Sequence, residues 1–304
     1  MQQMQPETLF SDRVNRRRLF DCVAVDIDGT LLNDTKEIPL ANKQALADFS
    51  EAGGTVILIS GRLPVSVHWH AELLGLNGYY VAMNGAVIGK GHKISWSRPF
   101  EPSATLEFLQ ACRSRSLYCH FYTYDTLLYD QETQWNQNWT ERNAAHLEGG
   151  RSLPPGSLPS WRMPLARKVV DLADIILREN QAIYKTAVFS DSPLREVWEE
   201  LGNITGLTVT SSDLSSNLEV APAGVTKGSS LLRLVKMLGI SPQKVMAIGD
   251  NYNDISMLQA AGLGVAMGNA PKDVRRSAHQ VTASNEEAGV AQAIWRWAYV
   301  DSQI

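Results

Sequence analysis

The sequence predicts an α/β protein built on a doubly wound parallel sheet, with a second, α+β domain inserted into it. Two observations carry this expectation. Short apolar runs rich in β-branched residues alternate with stretches of helical pattern near both ends of the chain, and the middle has a different texture. Leu19 to Ile27 (LFDCVAVDI) reads as a buried strand closed by Asp-Gly-Thr, and Ile38 to Ala52 as a helix. Thr55 to Ile59 (TVILI) reads as a second strand ending at Ser60-Gly61-Arg62, and Pro64 to Leu74 as the helix after it. The same alternation returns late, with Lys227 to Leu238 helical, Lys244 to Ile248 a strand, Asp254 to Ala261 helical and Gly264 to Met267 a short strand. One sheet assembled from both ends of the chain accounts for this.

From about 86 to 222 the pattern becomes strand-like pieces, such as Leu117 to Tyr124 and Thr186 to Ser190, between helical and loop stretches. Thirteen of the 24 aromatic residues lie between Trp96 and Phe189, which fits a second core first and a ligand-stacking surface second. Residues 149–164, rich in Gly, Pro and Ser, read as a long irregular loop that could border a substrate entrance. The expected division is a core of residues 1–85 and 223–304, with 1–18 a polar extension, and an insert of 86–222. Two crossings, near Ala86 and Pro222, would make a hinge.

Composition narrows the class. With 44% hydrophobic and 20% charged residues, the chain of 304 residues can bury a sizeable core. A net charge of -4 argues against a surface built to neutralise nucleic acid. Cys22, Cys112 and Cys119 are too few and too scattered for a disulfide framework, which suits a reducing cytoplasm. The arginines at 16–18 are followed by Asp21, Asp26 and Asp28, which interrupt the apolar run an export signal needs. No apolar run reaches the about 18 residues of a membrane span, so neither nucleic acid nor membrane is an expected partner.

The chemistry-bearing residues stand where such strands end. Asp26 and Asp28 lie at the C-terminal end of the first strand, the edge where open α/β sheets bind ligands. Taken alone, they read equally well as acids that stop a strand before a turn. Ser60 can offer a hydroxyl and a backbone N–H to an anion, or can simply cap the next helix. Lys227 falls in the first turn of a helix, where the helix dipole disfavours a cation unless an anion is near. Gly249-Asp250-Asn251-Tyr252-Asn253-Asp254 again sets carboxylates at a strand end. If these loops converge, Asp26, Asp28, Asp250 and Asp254 crowd like charges, which raises carboxylate pKa values or requires a counter-cation such as Mg²⁺. His68 and His70, two apart on a helix, point away from each other and cannot share a metal. Cys22, inside a strand, reads as a small core residue.

Taken in order, Asp26-x-Asp28-Gly29-Thr30-Leu31, Ser60-Gly61-Arg62, Lys227-Gly228 and Gly249-Asp250-x-x-Asn253-Asp254 make the chain resemble the haloacid dehalogenase superfamily, in its Cof-like branch of phosphatases with a large α/β cap. The resemblance runs from about residue 19 to about 295, with Asn84-Gly85-Ala86 similar to the family's junction into the cap. It implies a Rossmann-like core and a Mg²⁺-dependent phosphatase that hydrolyses a small phosphorylated metabolite. It also implies that Asp26 is the nucleophile, that Asp28 is the general acid and base, and that Ser60, Gly61 and Lys227 hold the phosphoryl oxygens. Mg²⁺ would lie on Asp26, the backbone carbonyl of Asp28 and Asp250, with Asn253 and Asp254 orienting that shell. A phosphomutase would use the same aspartate chemistry, and a phospholigand sensor could keep the fold without turnover. The cap matches only in general texture, so the resemblance names no substrate.

Overall fold

The structure, a computed structural model, describes residues 16–137, 165–213 and 216–301. The first part of the chain forms strands β1 (Arg16–Arg18) and β2 (Cys22–Asp26), helix α1 (Leu40–Glu51), β3 (Thr55–Ile59), α2 (Pro64–Leu73), β4 (Tyr79–Ala82), β5 (Val87–Lys90) and β6 (Lys93–Ser97). The middle forms α3 (Pro102–Ser114), β7 (Tyr118–Tyr122), β8 (Thr126–Tyr129), β9 (Leu165–Lys168), α4 (Leu172–Leu177), β10 (Lys185–Phe189), α5 (Arg195–Gly202), β11 (Leu207–Asp213) and β12 (Asn217–Pro222). The last part forms α6 (Lys227–Met237), β13 (Val245–Gly249), α7 (Ile255–Ala260), β14 (Leu263–Ala266), α8 (Lys272–Ser277), β15 (Gln280–Val281), α9 (Gly289–Trp297) and β16 (Tyr299–Asp301). Helix α1 begins two residues later than the periodicity suggests. Pro39 disfavours helical backbone at Ile38, and the helix starts at Leu40.

An eight-stranded sheet runs in the order β15-β14-β13-β2-β3-β4-β5-β6. It is parallel from β15 to β4 and antiparallel across β5 and β6. Strands β2 and β13, more than 200 residues apart in sequence, are neighbours, so both ends of the chain do build one sheet. Successive residues of β2 enter opposite layers: Val23 and Val25 pack in one hydrophobic cluster, Cys22 and Ala24 in another. That two-sided burial is why the strand reads as an uninterrupted apolar run. Burial, and Asp21 after it, push the Cys22 thiol up to about 12, so it behaves as a small core residue.

The second sheet, in the order β11-β12-β10-β7-β8-β9, is antiparallel except for the β8–β9 pair. It has its own core around Phe108, Phe121, Ile175, Val188 and Leu218. This is the inserted α+β cap on a Rossmann-like core. The expected junction at residue 86 is corrected: β5 and β6 continue the eight-stranded sheet, and the chain leaves it only after Ser97. Local texture separates strand from helix but does not say which sheet a strand joins. Arg16–Arg18, read as the end of a polar extension, pair antiparallel with Tyr299–Asp301 in a two-stranded sheet of their own. Residues 149–164, expected to form a long loop, lie outside the described residues. Among the described residues no helix is long and apolar enough to cross a membrane.

Buried Asn42 ties three pieces of this core together. Its Nδ2 donates to the Leu31 carbonyl at 3.2 Å, and its Oδ1 accepts from Ala291 N at 3.0 Å. Ala291 lies in the first turn of α9, whose N-cap residue, Ala288, supplies no side-chain bond, so Asn42 satisfies an N–H that the helix itself cannot. Asn42→Leu leaves both backbone groups buried without it. Unfolding free energy measured in urea should fall by about 2 to 3 kcal/mol.

Candidate active site

Sheet register alone brings three predicted loops together. Ile59 is level with Asp26 across β2 and β3, and Ile248 is level with Val25 across β13 and β2. Asp26, Ser60 and Asp250 therefore emerge side by side at the C-terminal edge of adjacent parallel strands. Lys227 reaches the same place from the first turn of α6. Thr226 caps that helix with Ser229 in a reciprocal pair of bonds, which fixes where the helix starts and so where Lys227 points.

The Lys227 ammonium, 2% exposed, donates to Asp26 Oδ1 at 2.7 Å and to Asp254 Oδ1 at 2.5 Å. Burial alone would lower its pKa, but Asp254 and then Asp26 hold it well above the ordinary lysine value. The anion that the helix dipole requires is thus present twice over. Asp254 is fully engaged. Its other oxygen accepts the backbone N–H groups of Asp250 and Asn251, each at 2.9 Å. Asp250 Oδ1 accepts from Thr30 Oγ1 at 2.7 Å.

Oxygens of Asp26, Asp250 and Asp254, all buried, lie within 4.8 Å of one another. Burial, followed by the charge of Asp254, raises Asp26 well above the usual carboxylate range, and the same two causes push Asp250 up to about 7. Gly29, at φ +75°, leaves the space: a Cβ there would stand 2.4 Å from Asp250 Oδ2. Hard oxygen donors with excess negative charge fit a divalent cation. Asp26 and Asp250 suit it best, because Asp254 is already occupied by Lys227 and two amides.

Asp28 is placed differently from Asp26. Its side chain, 44% exposed, accepts from Arg62 Nε and Nη2, both at 2.7 Å, and Lys36 Nζ lies 3.6 Å away. The surrounding protein takes water from part of the carboxylate and would raise its pKa, but the Arg62 guanidinium outweighs this and holds the carboxyl well below the usual range. Ser60 also departs from expectation. Its backbone N–H is taken by Val81 O at 2.9 Å, and Leu63, not Ser60, is the N-cap of α2. Only the hydroxyl faces the loop, where it accepts from Arg62 N at 3.2 Å. Asn253, expected to orient the carboxylates, instead directs its Nδ2 to Asn84 Oδ1 at 3.3 Å and Glu219 Oε2 at 3.4 Å. His70 is buried on Ser66 O, whereas His68 faces Glu72 and His92, so the two histidines diverge as expected.

The profile of the haloacid dehalogenase-like hydrolases matches residues 23–154 and 160–294. The chain belongs to this family. Among curated haloacid dehalogenase-like relatives, it is 30% identical over 280 residues to the pyridoxal phosphate phosphatase YbhA of Escherichia coli, covering 90% of this chain and 97% of that protein. It is 29% identical over 275 residues to the 5-amino-6-(5-phospho-D-ribitylamino)uracil phosphatase YcsE of Bacillus subtilis, covering 90% and 94%. A solved haloacid dehalogenase-like hydrolase from B. subtilis superposes with a TM-score of 0.77 at 28% identity, covering 91% of this chain and 99% of that one.

Sequence reasoning missed Thr30, Arg62, Lys185 and Glu219 as site neighbours. Thr30 and Arg62 had a signal in standing beside motif acids and Ser60. Lys185 and Glu219 had none, since only cap register brings them there.

Asp250→Asn keeps an oxygen for Thr30 and removes one of three crowded charges. In chelator the variant should be more stable than the parent by about 1 kcal/mol, and millimolar Mg²⁺, expected to raise the parent's melting temperature, should raise the variant's little or not at all. Thermal melts with and without Mg²⁺ check both halves.

Proposed function

We propose that the chain is a Mg²⁺-dependent phosphatase of a small phosphorylated metabolite, working in the cytoplasm through a phosphoaspartate at Asp26. The observation that carries this reading is the Lys227 ammonium on Asp26, which fixes one carboxylate oxygen and leaves the other to attack. In the first step an Asp26 oxygen bonds to phosphorus as the bond to the leaving oxygen breaks, and Asp28 supplies the proton that oxygen needs. In the second, Asp28 takes a proton from water, whose oxygen displaces Asp26 and releases phosphate. The ion pair with Arg62 keeps Asp28 ionised, so to act as an acid its carboxylate must leave the guanidinium as substrate binds and take up a proton from solvent, which it then gives to the leaving oxygen. The Ser60 hydroxyl, the Gly61 N–H and Lys227 would hold the phosphoryl oxygens. Mg²⁺, held by Asp26, the Asp28 carbonyl and Asp250, would supply the positive charge that lets an anionic ester approach carboxylates. Asp254 keeps Lys227 and the loop of Asp250 in place.

The relatives' substrates, a vitamin phosphate and a phosphoribityl intermediate, support heteroaromatic phosphates as the first class to try, beside sugar phosphates and nucleotides. Purified protein should release inorganic phosphate from at least one member of such a panel in Mg²⁺ and from none in excess chelator. Activity undiminished by chelator would remove the metal from the scheme. Asp26→Asn keeps size and loses the attacking charge, so kcat should fall by about four orders of magnitude or more while the circular dichroism spectrum is unchanged.

A further inference from the structure

A buried ion pair on the cap reaches the site. Lys185 on β10 and Glu219 on β12 are diagonal neighbours on one face of the cap sheet, since Ala187 is level with Glu219. Their side chains are 5% and 12% exposed, and the Lys185 ammonium donates to Glu219 Oε1. Each partner also grips the core. Lys185 Nζ donates to the Gly61 carbonyl at 3.0 Å, and Glu219 Oε2 accepts from Asn84 Nδ2 at 2.8 Å and from Asn253 Nδ2 at 3.4 Å. The Tyr122 ring, on the next cap strand, has the ammonium 5.1 Å from its centre.

The three core residues reached belong to three loops of the site. Gly61 lies between Ser60 and Arg62. Asn84, held in left-handed backbone at φ 54°, donates its own N–H to the Ser60 carbonyl at 3.1 Å. Asn253 precedes Asp254, the anchor of Lys227. Contact at Gly61 is tight: a Cβ would lie 2.8 Å from Asn84 Oδ1 and 3.3 Å from Lys185 Nζ, so any side chain there would push against the two groups that tie cap to core. We propose that Lys185 and Glu219 are positioning residues: together they seat the cap on the loops of Gly61, Asn84 and Asn253 and so set the geometry of Ser60 and Asp254. The pair is neutral as a unit, so it brings the cap's polar groups to an acidic site without adding charge. Losing one partner leaves the other charged and buried.

The kinetic part of the test rests on the phosphatase reading, and the exchange part does not. Amide hydrogen exchange by mass spectrometry is compared for the full-length protein, Lys185→Met, Glu219→Gln and the double variant. Each single change should speed exchange in peptides spanning 59–62 and 83–85 by about tenfold or more, and lower the melting temperature. The double variant carries no stranded charge, so its melting temperature should recover toward the parent while exchange in those peptides stays fast. With p-nitrophenyl phosphate and Mg²⁺, all three should lose about tenfold in kcat with a smaller change in KM. Parental exchange in the folded single variants, or parental exchange and kcat in the double variant, would reduce the pair to charge neutralisation and overturn the proposal. A parent that hydrolyses nothing would refute the phosphatase reading, and the exchange result would still decide the positioning role.

Discussion

The arrangement of the site depends on one buried ammonium between two carboxylates. Lys227 spans Asp26 from the first half of the core and Asp254 from the second, so a single side chain joins segments brought together only by the pairing of β2 with β13. Its place is fixed by the Thr226–Ser229 cap and by Gly228 N, which donates to Ser256 Oγ at 3.0 Å. A lysine at a helix start is unfavourable against the dipole, and its burial without partners would cost several kcal/mol more. The two carboxylates therefore decide where α6 can lie.

Around that ammonium, the charges separate into two groups with different states. Asp26 and Asp250 are buried beside Asp254, and their pKa values are raised, by burial first and by Asp254 second. Asp28, two residues from Asp26, faces Arg62 and is held ionised. The turn at Gly29 makes this possible, since it directs the chain away from the strand while leaving room for Asp250. Two acids close together in sequence thus acquire opposite electrostatic settings, one suited to a cation and one to a guanidinium, through the direction their side chains take.

The cap is attached to this charge arrangement at its edge. Its sheet has a separate core on one face, and the other face presents Lys185, Glu219 and Tyr122 toward the loops of the site. Cap and core are joined at the site by hydrogen bonds to backbone and amide groups at Gly61, Asn84 and Asn253. These bonds sit beside an apolar contact, because the cap residues Tyr122, Leu127, Ala187 and Ala221 belong to the same hydrophobic cluster as the core residues Val25 and Met83; burial supplies the area and the hydrogen bonds fix the geometry.

Much of the core was legible because its strands are buried on both sides and its helices carry ordinary boundary signals. The run from Cys22 to Asp26 and the run TVILI at 55–59 could be nothing but buried strands once Asp-Gly and Ser-Gly closed them. The motif acids and Ser60 stand at the ends of apolar runs and Lys227 in a helix's first turn, positions open to turn, cap or site. The order of the four motifs, through their resemblance to the family, favoured the site. Tertiary structure alone decided the rest. Whether β5 and β6 join the large sheet is a matter of hydrogen-bond partners, which strand composition does not encode. That Asp28 turns to Arg62, that Ser60 spends its N–H on Val81, and that Asn253 faces Glu219 follow from where side chains and loops point after folding. Lys185 and Glu219 are the extreme case: each looks like an ordinary charge in a strand, and only the packing of cap on core makes them a buried pair at the site. Sequence determined which groups of this protein could do chemistry, because burial periodicity and turn chemistry are local. Which of them touch depends on contacts between residues as far apart as 220 positions, and those exist only in the folded chain.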